Sequence, residues 1–260
     1  MQSPPLQDPT FSRPDTWTTP VWSVAGRMVN VFGVPGQVFE DVLRTRPNTG
    51  HWFWPALLGF LIGFLGGWLL WGNPVVRHAL VVRQRTVWEQ RIEAGRLTRE
   101  EADRRLKELE QVWASPLVRA LAAGASGLGS GLRFLFWGGL IWAVSRWAFA
   151  ARAPLGRCCE LAGLASLIGV VGMALELLLM PTPDGSPPPL EEPAQVTQPT
   201  SRAMAWALGL VQGIFGFWQV GVMGMALAKL TGAPWVRALW VLLAIWLGWM
   251  LLWITVGALR

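Results

Sequence analysis

Two apolar runs, residues 126–149 and 160–180, stand on either side of a short turn at Pro154 that carries Arg152 and Arg157. Each is close to the roughly 20 residues an α-helix needs to cross a bilayer core of about 30 Å. The turn is too short to hold a domain, so the two segments must lie side by side and antiparallel in the membrane. Three more runs of this kind, 52–71, 203–229 and 236–258, bring the total to five spans and place the termini on opposite sides. The composition agrees: 52% of residues are hydrophobic and 15% are charged, against about 25% charged in soluble domains. The expected fold is an all-α, polytopic integral membrane protein with five transmembrane helices and one extramembrane helical hairpin.

The hairpin is the charged stretch 75–115, where basic and acidic residues interleave. Such mixing favours a solvated helix over a like-charge coil. Gly95 divides it, Thr98 with Glu101 fits a capping box, and Ala102, Leu106, Leu109 and Trp113 give the second half an apolar seam. Before the first span, residues 1–20 are rich in Pro, Ser and Thr and are expected to be a disordered tail. They lack the basic and apolar regions of a signal peptide, so the chain is expected to keep its N-terminus and insert through its own first span. Residues 21–47 read as two short amphipathic helices in the interface plane, one carrying Trp22, Met28 and Phe32, the other Val38, Phe39 and Val42. The membrane domain proper covers 48–260.

Within the spans, Gly59, Gly63 and Gly67 repeat every four residues, and Gly209, Gly213 and Gly216 lie on the fourth. Missing side chains on one stripe let a neighbouring helix approach closely, so both sets are expected to serve helix packing. Charge inside the membrane is costly. Folding the pair of runs about Pro154 puts Arg133 twenty-one residues before the turn and Glu176 twenty-two after it, with Arg146 eight before and Glu160 six after. The matched depths suggest the pairs Arg133–Glu176 and Arg146–Glu160, each fixing helix register; separate snorkelling of each charge is the competing reading. Gln212 and Gln219 on the fourth span suit interhelical hydrogen bonds, with a polar solute path as the other use.

No catalytic or metal constellation is visible, and no cofactor is expected. His51 and His78 are the only histidines and flank the first span at opposite ends; Cys158 and Cys159 are adjacent and cannot form a disulfide framework. The chain is read as not an enzyme. Net charge is +6, with twenty Arg and two Lys. In a membrane chain this reads as cationic flanks facing anionic lipid, not as a nucleic-acid surface. Eighteen Trp and no Tyr build the interfacial aromatic belt from one residue type. With Arg133 inside the second span left out, Lys and Arg divide nine to twelve between the two sides, the smaller number on the N-terminal side, which does not settle orientation.

Three stretches carry a family resemblance. GVPGQVFEDVLRTRPNTGHWFWPALLGFLIG joins a proline, an aromatic and an Arg-Pro to the first span; LIWAVSRWAFAARAPLGRCCELAGLASLIGVVG holds paired central helices with a basic turn; IFGFWQVGVMGMALAKLTGAPWVRALWVLL opens on Phe-x-x-Trp and continues through a basic turn to a last span. Their order and spacing resemble the Yip domain family, five-span membrane proteins named for interaction with Ypt/Rab GTPases. The chain departs from eukaryotic members in its short N-terminal region and its charged hairpin, and its Arg-rich, compact loops look bacterial, so Rab binding does not carry over. The resemblance implies a cytoplasmic N-terminus, a place in the bacterial cytoplasmic membrane, and a non-catalytic role in organising membrane or binding protein and lipid partners. Two other classes stay open: a small-solute transporter or channel subunit, and an oligomeric sensor acting through 75–115. Expected partners are the lipid bilayer and a protein or second copy at the hairpin.

Overall fold

The computed structural model describes residues 17–179 and 199–258. The expected tail up to residue 16 and the Pro- and Glu-rich loop 180–198 lie outside these. Nine helices cover most of the described chain: α1 (Val24–Asn30), α2 (Pro35–Arg44), α3 (Gly50–Gly72), α4 (Pro74–Glu93), α5 (Arg99–Ala114), α6 (Pro116–Ala148), α7 (Leu155–Leu179), α8 (Pro199–Thr231) and α9 (Trp235–Ala258). Five of them, α3, α6, α7, α8 and α9, are long and apolar enough to cross a membrane. The segment before residue 132 is the outer half of one unbroken helix, α6.

α7 is the central helix, packed between α3, α6 and α8 with more than half of its span buried, whereas α9 leans mainly on α8. Small residues decide how α3 meets α6. A β-carbon at Gly59 would lie 3.1 Å from the Ser130 carbonyl oxygen, one at Gly67 would lie 2.9 Å from Ala123 Cα, and one at Gly63 would overlap the Ser130 side chain. The fit is reciprocal: Gly127 and Gly131 of α6 sit against the backbone carbonyls of Phe60 and Ala56. The two backbones approach in this way because both helices lack side chains along the seam.

The α4–α5 hairpin stands beyond the far ends of α3 and α6. Gly95, at φ +67°, closes α4 with its backbone in the left-handed region. Thr98 Oγ1 then accepts from the Glu101 amide at 3.3 Å to start α5. Trp88 and Ala102 are buried between the two helices, while the charged faces stay exposed. At the other end α1 and α2 pack on the bundle. Ser23 caps α1 and Pro35 begins α2. Gly36 lies against Met225 and Glu40 bonds Lys229, so α2 runs alongside α8 in the same direction. Its apolar face, Val38, Phe39 and Val42, is buried in the core formed with α7 and α8 instead of being turned to lipid.

Leu at Gly63 has no room and should lower the melting temperature in detergent by the equivalent of about 1–3 kcal/mol. Leu at Gly139, which has no atom within 4 Å of its β-carbon position, should leave it unchanged. Thermal unfolding monitored by size-exclusion loss compares the two.

Candidate functional site

A chain of buried charge joins α1, α2, α3 and α7. Arg27 is the hub: its Nε donates to Asp41 Oδ2 at 2.9 Å, one Nη to Thr45 Oγ1 at 3.0 Å, and the other reaches His51 Nε2 at 2.6 Å. A guanidinium can only donate, so His51 Nε2 accepts and its proton sits on Nδ1. Nδ1–H then donates to Glu160 Oε2 at 3.1 Å, and Arg157 donates to the same oxygen at 3.0 Å. Arg157 continues to the carbonyls of Val42 and Thr45 at the end of α2 and lies over the Trp17 ring. Asp41 also takes the backbone amides of Val21 and Trp22. Two guanidiniums, two carboxylates and a neutral imidazole sum to zero charge, with no more than 5% of any of these side chains exposed. A buried ionic group is tolerated when its hydrogen bonds are made, and among the described residues no buried side-chain atom of these groups is left without a partner. As wired here the groups hold each other, and none is left free to act as a nucleophile or base.

A second polar cluster lies within the membrane between α6, α7 and α8. A β-carbon at Gly169 would fall 2.7 Å from Gln219 Oε1 and 3.3 Å from an Arg133 Nη, so only glycine lets these side chains converge. Among the described residues the buried Gln219 amide has no hydrogen-bond partner. Further along α7, Glu176 accepts from Gln212 at 3.5 Å. Arg133 and Glu176 form no ion pair within 4.0 Å among the described residues.

The structure therefore brings Arg133 and Gln219 together at Gly169 and Gln212 to Glu176 two turns further along α7, and separates Arg146 from Glu160. Glu160 is taken by Arg157 and His51, while Arg146 is exposed and lies over the Trp142 ring at 5.7 Å. Depth below the turn matches both, but helix rotation points them apart. Of the glycines, Gly59, Gly63 and Gly67 face α6. Gly209 and Gly213 have no neighbour within 4 Å, and Gly216 meets only Trp246 at 3.8 Å. In α8 the close approach is at Gly224, against Leu239. Arg27 and Asp41 are site residues that the sequence reading passed over, and His51 was noted there only as a histidine flanking the first span. Their signal was position: Asp41 falls between Val38 and Val42, on the face of α2 that has to be buried. His78 has no described side chain. Among the described residues no group of three His, Cys, Asp or Glu could hold a metal.

Five apolar spans, a pair of short helices docked on one end and a charged hairpin on the other define a multi-pass helical integral membrane protein in contact with the lipid bilayer. The Yip1 domain family profile matches residues 29–257, and the chain belongs to that family. No curated protein and no solved structure matches it.

Two outcomes follow. Glu160→Ala strands Arg157 in the interior and should cost about 3–5 kcal/mol, read as a large fall in melting temperature; Arg146→Gln should change it little. Outside the spans, the hydrogen bond from Lys229, helped by the charges of Lys229 and Arg44, holds the Glu40 carboxyl below its ordinary range against partial burial. A carboxyl lowered by folding stabilises above its unfolded pKa and loses that contribution as pH falls through the folded value. The pair is exposed, so the effect is small. Melting curves at pH 7 and about pH 3.5 should differ less in Lys229→Met than in the wild type.

Proposed function

We propose that this Yip1-domain protein is a non-catalytic membrane scaffold that presents the α4–α5 hairpin to a protein partner or a second copy. One observation carries the reading: the hairpin closes its own seam at Trp88 and Ala102, stands clear of the spans, and leaves both charged faces open. The N-terminus is cytoplasmic and the membrane is the bacterial cytoplasmic membrane. That orientation follows the family resemblance; the division of Lys and Arg, with the smaller number on the N-terminal side, does not decide it.

A second reading, passage of a small polar solute, is favoured by the unpartnered Gln219 amide beside Arg133. Site-specific crosslinking from exposed hairpin positions decides between them. A partner or dimer captured from residue 104 or 108, and lost when 75–115 is replaced by a Gly/Ser linker, supports the scaffold. Solute uptake by proteoliposomes that disappears in Gln219→Leu, with no crosslink from the hairpin, overturns it.

A further inference from the structure

We propose that the groove between α8, α9 and the α1–α2 corner binds an anionic glycerophospholipid from the leaflet at the α1–α2 end. The proposal rests on the groove and its charges, and stands apart from the scaffold reading.

The groove has a volume of about 1300 Å3. Its floor is the face of α8 where Gly209, Gly213 and Gly221 have no atom within 4 Å of their β-carbon positions. Phe217, Trp218 and Leu239 wall it, and Phe32, Gly33 and Pro35 line it at the α1–α2 corner. A pocket of about 370 Å3 shares Met225 and Trp235 with the groove and adds Lys229, Gly232 and Ala233 at its end. Along α8 the lining runs from Trp206 to Met225, a rise of about 28 Å at 1.5 Å per residue, close to a ~30 Å hydrocarbon core. The half next to the α1–α2 corner, from Ile214 onward, rises about 16 Å, the depth of one leaflet and of one acyl chain. A transmembrane helix of a partner would have to continue past Phe32 and Pro35, and with a diameter of at least about 10 Å it would meet the corner; an acyl chain reaches its headgroup there.

Charge selects the headgroup. At this end the exposed side chains include six cations, Arg44, Arg46, Arg146, Arg152, Lys229 and Arg237. Among the described residues the one partly exposed acid there is Glu40, bonded to Lys229 at 2.7 Å and to Arg44 at 2.5 Å. Asp41 and Glu160 are buried and neutralised by Arg27 and Arg157. This end of the bundle is therefore cationic among the described residues, and Lys229 brings one of those cations to the end of the groove, which draws anionic lipid. Trp235, at the junction of pocket and groove, belongs to the belt that sits at headgroup level.

The full chain, reconstituted in vesicles of equal phosphatidylglycerol and phosphatidylcholine and re-extracted in mild detergent, gives retained lipid by native mass spectrometry. The wild type is expected to keep phosphatidylglycerol in preference. Gly221→Leu adds bulk to the groove at a β-carbon position with no side chain or neighbouring helix of the described residues within 4 Å, so it is expected to fold with wild-type melting and to retain about tenfold less lipid. Lys229→Gln should lower the preference for the anionic lipid about fivefold with the total less affected. Equal retention of the two lipids by the wild type overturns the proposal, as does a folded Gly221→Leu that keeps lipid at the wild-type level. Should Gly221→Leu not fold, an unchanged preference in Lys229→Gln overturns it instead.

Discussion

The contact between Arg27 and His51 is where the two ends of the polar chain meet. On one side Arg27 binds Asp41 and Thr45, which fixes α1 to α2; on the other His51 binds Glu160, which fixes the start of α3 to α7. Neither short helix could hold its place by propensity, since helices under about 12 residues are marginal alone. They are held by a buried apolar face and by a charge chain in which each member satisfies the next. Removing one link strands another ion in the interior, so the arrangement is all-or-none. Pinning α3 to α7 at this end also helps fix how α3 lies along α6, and with that the register of Gly59, Gly63 and Gly67 against Ser130, Ser126 and Ala123.

Deeper in the membrane the problem is reversed. Lipid gives helices no hydrophobic reason to associate, so α3 and α6 adhere through close backbone packing and α6, α7 and α8 meet at polar side chains around Gly169. The charge chain near the bundle end leaves no buried side-chain atom unpaired among the described residues, whereas the Gln219 amide has no partner among them. One cluster behaves as structure, and the other is where the interior keeps unused hydrogen-bonding capacity.

The five spans were legible because length and apolarity suffice for a helix that must satisfy its own backbone in lipid. Gly95 and Thr98 were legible because their chemistry is local. Side-chain partners in the core were not. Counting residues from Pro154 gives depth but not rotation, and rotation sends Arg146 outward over Trp142 while Glu160 turns inward to Arg157. The same limit applies to α8: Gly209 and Gly213 share a face, but that face borders the groove and not a helix. Asp41 was readable in principle, as a charge on an apolar face. Its partners, coming from other helices, were not.

The charge chain also has a direction in time. His51 and Glu160 are 109 residues apart in sequence, and Arg157 bonds the end of α2 across 112 and 115 residues. When α1 and α2 leave the ribosome, the two charges they will face, Arg157 and Glu160, are still unmade, and His51 is not yet inserted. The N-terminal segment must therefore wait outside the bundle with Arg27 and Asp41 in water, and it can dock only after α7 has entered the membrane. Its docking then marks a bundle whose first three spans are already in place.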